Sequence, residues 1–125
     1  MNWSALAAFL LALAVIFGAF GAHALKGLLD EYSLGVYEKA VFYHFVHALG
    51  LLIVSLIARL EFIPRSTATW VCALLVAGIV LFSGSLYALA ISGVRTLGAV
   101  TPFGGAAFIA AWCTLAICLF RTGKA

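Results

Sequence analysis

The sequence predicts an all-α integral membrane protein: an antiparallel bundle of four transmembrane helices with a short amphipathic interfacial segment between helices 1 and 2. Three observations carry that reading. Hydrophobic residues make up 66% of the chain and charged ones only 9%, far from the balance of a soluble domain. The excess is gathered into four uncharged runs, at 1–25, 40–58, 66–94 and 96–120. Each is near or above the roughly 20 residues that a helix needs to cross hydrocarbon. The runs also lack the apolar/polar alternation of membrane strands and are far too long for them. At 125 residues the chain allows one transmembrane domain, with spans at about 3–24, 40–59, 67–92 and 102–121.

The first run resembles a signal peptide, because Ala22-His23-Ala24 imitates an A-x-A cleavage site. No Lys or Arg precedes its apolar part and the sequence starts at Met1, so it is expected to be the first span. Ala7, Leu11, Ala14, Gly18, Gly21 and Ala22 form a small-residue stripe along it. Small residues let backbones approach closely, which predicts that this face meets another helix.

Residues 25–39 are the longest polar segment. Leu25, Leu28, Leu29, Tyr32 and Val36 recur there at helical spacing, which predicts an amphipathic helix lying in the interface, bent at Gly35. A mobile loop is the plain alternative. After the second span and Arg59, Pro64 stops helix and Ser66 or Thr67 is expected to cap the third span. Trp70 falls where interfacial aromatics belong. Gly93–Thr101 is read as a connection holding Arg95, and Thr101 is expected to cap the fourth span ahead of Pro102. Arg121 and Lys124 close the chain in a polar tail.

The net charge of +3 is scattered, which leaves nucleic acid no electrostatic footprint. Cys72, Cys113 and Cys118 lack CxxC spacing and lie inside spans, as small apolar fillers do. Antiparallel packing is expected to bring Cys72 and Cys118 to similar depth. With four spans, one side of the membrane holds Arg59, Arg65, Arg121 and Lys124, and the other holds Lys26, Lys39 and Arg95. The excess of one favours both termini on the cytoplasmic side.

Polar residues inside spans are costly and usually face protein. His44 and His47 lie three apart in the second span and are expected to share one face with Tyr37, Ala40 and Leu51. Threading the spans up and down puts His23, His44, His47, Ser83, Ser85, Tyr87 and Thr101 toward one leaflet, opposite the termini, as a candidate polar cluster. The other half of the bundle reads as apolar. Three histidines suggest a metal, but no HxxxH, neighbouring cysteine or carboxylate on the stripe completes a site. Haem ligation, proton relay or solute passage would also use histidines here. The plain alternative is interhelical hydrogen bonding worth on the order of 1 kcal/mol per bond. No Asp or Glu lies in a span to orient a Ser–His pair, and no G-x-S-x-G, phosphate-binding glycine loop or HExxH occurs.

Gly18-Ala19-Phe20-Gly21-Ala22-His23, Tyr43-His44 with His47-Ala48-Leu49, Phe82-Ser83-Gly84-Ser85-Leu86-Tyr87 and Thr101-Pro102-Phe103-Gly104-Gly105 resemble, in order, the small membrane proteins of the domain of unknown function 423 family. The transmembrane protein 256-like proteins of animals look like relatives. The resemblance implies a four-helix inner-membrane protein of bacteria and brings no activity with it. The reading is therefore a non-enzymatic small inner-membrane protein without a cofactor, acting in the lipid bilayer as a homo-oligomer or as an accessory to another membrane protein. A protomer of a small transporter or channel, and a cofactor-binding redox protein, are the alternatives.

Overall fold

A computed structural model describes residues 1–123; Lys124 of the expected polar tail lies outside them. Helix α1 spans Trp3–Phe20 and runs into a π-turn at Gly21–Leu25; α2 spans Glu31–Arg59. Helix α3 at Arg65–Gly78 continues through a second π-turn, Ile79–Ser83, into α4 at Gly84–Ser92. A 3₁₀ turn at Arg95–Ala99 leads to α5 at Thr101–Thr122. These make four rods, Trp3–Leu25, Glu31–Arg59, Arg65–Ser92 and Arg95–Thr122, each long and apolar enough to cross a membrane. No strand occurs among the described residues.

The second and third rods are the most enclosed, and α1 and α5 lie outside them. Helix α1 packs chiefly on α2, and α5 chiefly on α3 and the π-turn after it. The stripe of α1 does meet a helix: Ala7, Ala14 and Gly21 are buried, and Gly18 faces Val41. Leu51, Val54, Val71, Cys72, Leu75 and Ala111 form the centre of the larger core. Cys118 packs on that same core, and all three cysteines are free.

The segment between the first two rods is not a separate interfacial helix. Asp30 ends the turn and accepts the Ser33 N–H at 2.7 Å, and α2 runs from Glu31 through Gly35 unbroken. An exposed glycine costs a helix only about 1 kcal/mol relative to alanine, which a 29-residue helix absorbs. The predicted stripe is divided accordingly. Leu25, Leu29 and Val36 pack around Tyr37, whereas Leu28 and Tyr32 are exposed. An aspartate followed by a first-turn acid was the signal for this start.

Two expected caps also differ. Helix α3 begins at Arg65 directly after Pro64, without a side-chain cap from Ser66 or Thr67. Thr101 is already helical and spends its hydroxyl elsewhere, so α5 starts without a side-chain cap. Proline two residues into a helix needs none at that position, since its missing N–H removes one orphan donor. Gly93, at φ 72°, closes α4 in the left-handed conformation with its N–H on the Leu89 carbonyl.

Candidate functional site

Helix α2 carries the centre of the site. His44 is 2% exposed, and its Nδ1 lies 2.9 Å from the Tyr87 hydroxyl on α4. Helical side chains lean toward their own N-terminus. Tyr87 therefore reaches back past its own turn to meet a residue on the antiparallel neighbour. Phe17 of α1 and Tyr37 of α2 stand edge-on to the Tyr87 ring, at 5.1 and 5.2 Å between centroids. The other ring nitrogen of His44, Nε2, is buried and has no hydrogen-bond partner among the described residues.

Tyr37 closes the cluster on the α1 side. Its hydroxyl donates to the Phe17 carbonyl at 2.6 Å. That contact needs Gly21, because a Cβ there would overlap the Tyr37 ring. The π-turn begins at the same residue, and such turns re-aim backbone groups where an α-helix would hide them. The second π-turn lies across from it. Ser83, fully buried at its end, donates to the Ala40 carbonyl at 2.8 Å. A Cβ on Gly104 would collide with the Phe82 backbone, so α5 rests directly on this turn.

His47 points elsewhere. The two histidines share the buried side of α2 but face different neighbours, because a 60° offset on a central helix is enough to separate them. The Nδ1–H of His47 donates to the Tyr43 carbonyl one turn back, at 2.8 Å. Its ring stacks on Phe108 of α5 with centroids 3.5 Å apart and lies 5.9 Å from Trp112. Ser85 donates to the Phe82 carbonyl and accepts from Thr101 at 2.6 Å, joining α4 to α5. His23 is exposed and takes no part.

Six of the seven predicted residues therefore separate into a His44–Tyr87 pair, a Ser83 bond to the α2 backbone, a Ser85–Thr101 pair and a stacked His47, and His23 stands apart. Phe17, Phe108 and Trp112 complete these groups. Nothing in the sequence pointed to them, since Phe17 comes from α1 and Phe108 and Trp112 from α5, and only the packing of those helices on α2 brings them to the histidines. The half near the termini is less apolar than the sequence suggested, because Ser4 and Ser55 share a hydrogen bond at 3.0 Å.

This arrangement has a defined chemical capacity. Ser83 and Ser85 give their protons to carbonyls rather than to an imidazole, so neither is a base-activated nucleophile. No group of three His, Cys, Asp or Glu side chains lies together among the described residues. Hydrogen bonding across helices, and proton exchange at His44, are what these groups can do.

The family model described as "Protein of unknown function (DUF423)" matches residues 17–105. This chain belongs to the DUF423 family. Its relatives are described as UPF0382 membrane proteins. SH2409 of Staphylococcus haemolyticus is 49% identical over 104 residues, covering 83% of both chains. YwdK of Bacillus subtilis is 49% identical over 107 residues, covering 84% of this chain and 85% of its own. SERP0230 of Staphylococcus epidermidis is 48% identical over 109 residues, covering 87% of both. No solved structure matches. The matched stretch runs from Phe17 past Thr101 and so contains all seven predicted residues, while Phe108 and Trp112 lie beyond it.

Proposed function

We propose that this DUF423 protein is a non-enzymatic component of the bacterial plasma membrane that works by association, as a homo-oligomer or beside another membrane protein. The outer face of α5 carries this reading. Ala106, Ala110 and Cys113 recur there at helical spacing and are exposed. Lipid offers little drive to bring helices together, so close backbone approach along small side chains supplies much of it. The interior supports the same reading, because its hydroxyls bond between and within helices of one bundle.

Oxidative cross-linking tests it directly. With Cys72 and Cys118 replaced by alanine, the remaining Cys113 is expected to give a disulfide-linked dimer in membranes. Ala110→Leu is expected to suppress that dimer. Monomer alone, at every oxidant level, excludes association through this face.

One observation favours a second reading, in which a protomer passes protons. The orphan Nε2 of His44 is a buried titratable atom held among three helices. Purified protein in liposomes would then carry a proton flux that His44→Gln removes, and the absence of flux from the parent protein excludes the reading.

A further inference from the structure

We propose that a cleft at the end of the bundle that carries both termini binds a phosphate group, presented by an anionic lipid headgroup. The cleft measures about 370 Å³ and opens between the starts of α1 and α3 and the end of α2. Arg59 and Arg65 stand at it, with Asn2, Ser4, Ser55 and Thr69 supplying further polar groups. None of its described lining residues is acidic. Two guanidinium groups at one cleft without a lining carboxylate invite an anion, and their planar forks match phosphate oxygens.

One of the two exposed arginines is tethered. Arg59 donates through Nη2 to the Asn2 side-chain oxygen at 3.3 Å. That same oxygen caps α1 by accepting the Ala5 N–H. Asn2 thus holds one guanidinium over the cleft and ties it to the start of a helix. Helices α1 and α3 both begin beside the opening, so the positive ends of two dipoles add to the field there.

The depth of the cleft selects the form in which the phosphate arrives. It lies at the ends of three of the four rods, beside Trp3, a residue type that sits at headgroup level. Basic pockets between transmembrane helices at this level suit anionic headgroups, whose acyl chains extend along the helices. Inorganic phosphate shares the recognised chemistry but lacks those chains.

The test is thermal melting of the full chain in a neutral detergent. Dioctanoyl phosphatidylglycerol, dioctanoyl phosphatidylcholine and inorganic phosphate are titrated separately. Phosphatidylglycerol is expected to raise the melting temperature, with an apparent affinity about fivefold weaker for each of Arg59→Gln and Arg65→Gln. Arg121→Gln, away from the cleft, is expected to respond as the parent does. A response to inorganic phosphate alone, lost in the same two variants, upholds the phosphate site and assigns it a soluble ligand. An unchanged response in the Arg59→Gln/Arg65→Gln double variant overturns the proposal, and so does an equal loss in Arg121→Gln. Should that double variant fail to fold, Arg59→Lys/Arg65→Lys keeps the charge and removes the fork. Phosphatidylglycerol must then bind more weakly, and parental affinity overturns the site.

Discussion

The Tyr87 hydroxyl lies 2.9 Å from His44 Nδ1, and among the described residues it is the one hydrogen bond that either side chain makes. Because His44 Nε2 has no hydrogen-bond partner among the described residues, the pair stands on a single bond in a low-dielectric interior. Removing one member leaves the other unpaired.

Tyr87→Phe keeps the edge-on ring contacts with Phe17 and Tyr37 but strands both His44 nitrogens. His44→Leu strands the Tyr87 hydroxyl instead. Each is expected to cost about 1–3 kcal/mol, the range for a buried polar group left unsatisfied. The double variant is expected to cost no more than the worse single one, since no orphan then remains. Unfolding of the three variants in detergent measures this, and strictly additive losses would show that the two groups do not interact.

Two glycines are expected to respond oppositely to alanine. Gly104→Ala places a methyl against the Phe82 backbone, which no rotamer change relieves, and should destabilise by about 1–3 kcal/mol. Gly35 sits in α2 with open space beside it, so Gly35→Ala should stabilise by about 0.5–1 kcal/mol. Melting temperatures of the two variants give the comparison, and a stable Gly104→Ala would mean that α5 stands off the π-turn.

Asp30 supplies a pH dependence. The Ser33 backbone N–H, then the Ser33 hydroxyl, hold its carboxyl below the ordinary value of 3.8. A group whose folded pKa is depressed stabilises the fold above its unfolded pKa. That stability is lost as the pH falls through the folded value. Asp30→Asn keeps a good cap and loses the titration. Melts of the parent should therefore fall between about pH 5 and pH 2 more steeply than those of the variant. Parallel curves would remove Asp30 from the account.

The orientation with both termini cytoplasmic is a proposal resting on loop charge: Arg59, Arg65, Arg121 and Lys124 against Lys26, Lys39 and Arg95. Single cysteines at Asp30 and Ser66, in a background without the native three, should react with membrane-impermeant reagents from opposite sides. Outside labelling at Asp30 in intact cells supports the orientation, and outside labelling at Ser66 reverses it.

The four spans were legible in the sequence because crossing hydrocarbon imposes a length and a composition on each segment, independently of its neighbours. The side of α1 that meets α2 was legible for a similar reason, since Ala7, Ala14, Gly18 and Gly21 are small wherever that helix packs. The start of α2 carried a local mark that the hydrophobic pattern overrode: Asp30, whose side chain accepts the Ser33 N–H. The division of the polar cluster was not legible. Whether His47 meets a carboxylate, a hydroxyl or Phe108 depends on the rotation of α2 against α5, and a rotation of one residue's arc exchanges its partners. The π-turns at Gly21–Leu25 and Ile79–Ser83 shift that arc further, and no residue in either turn announces it. Composition fixes what enters the membrane; only the packing of one helix on another decides that His44 bonds to Tyr87 while His47 stacks on Phe108.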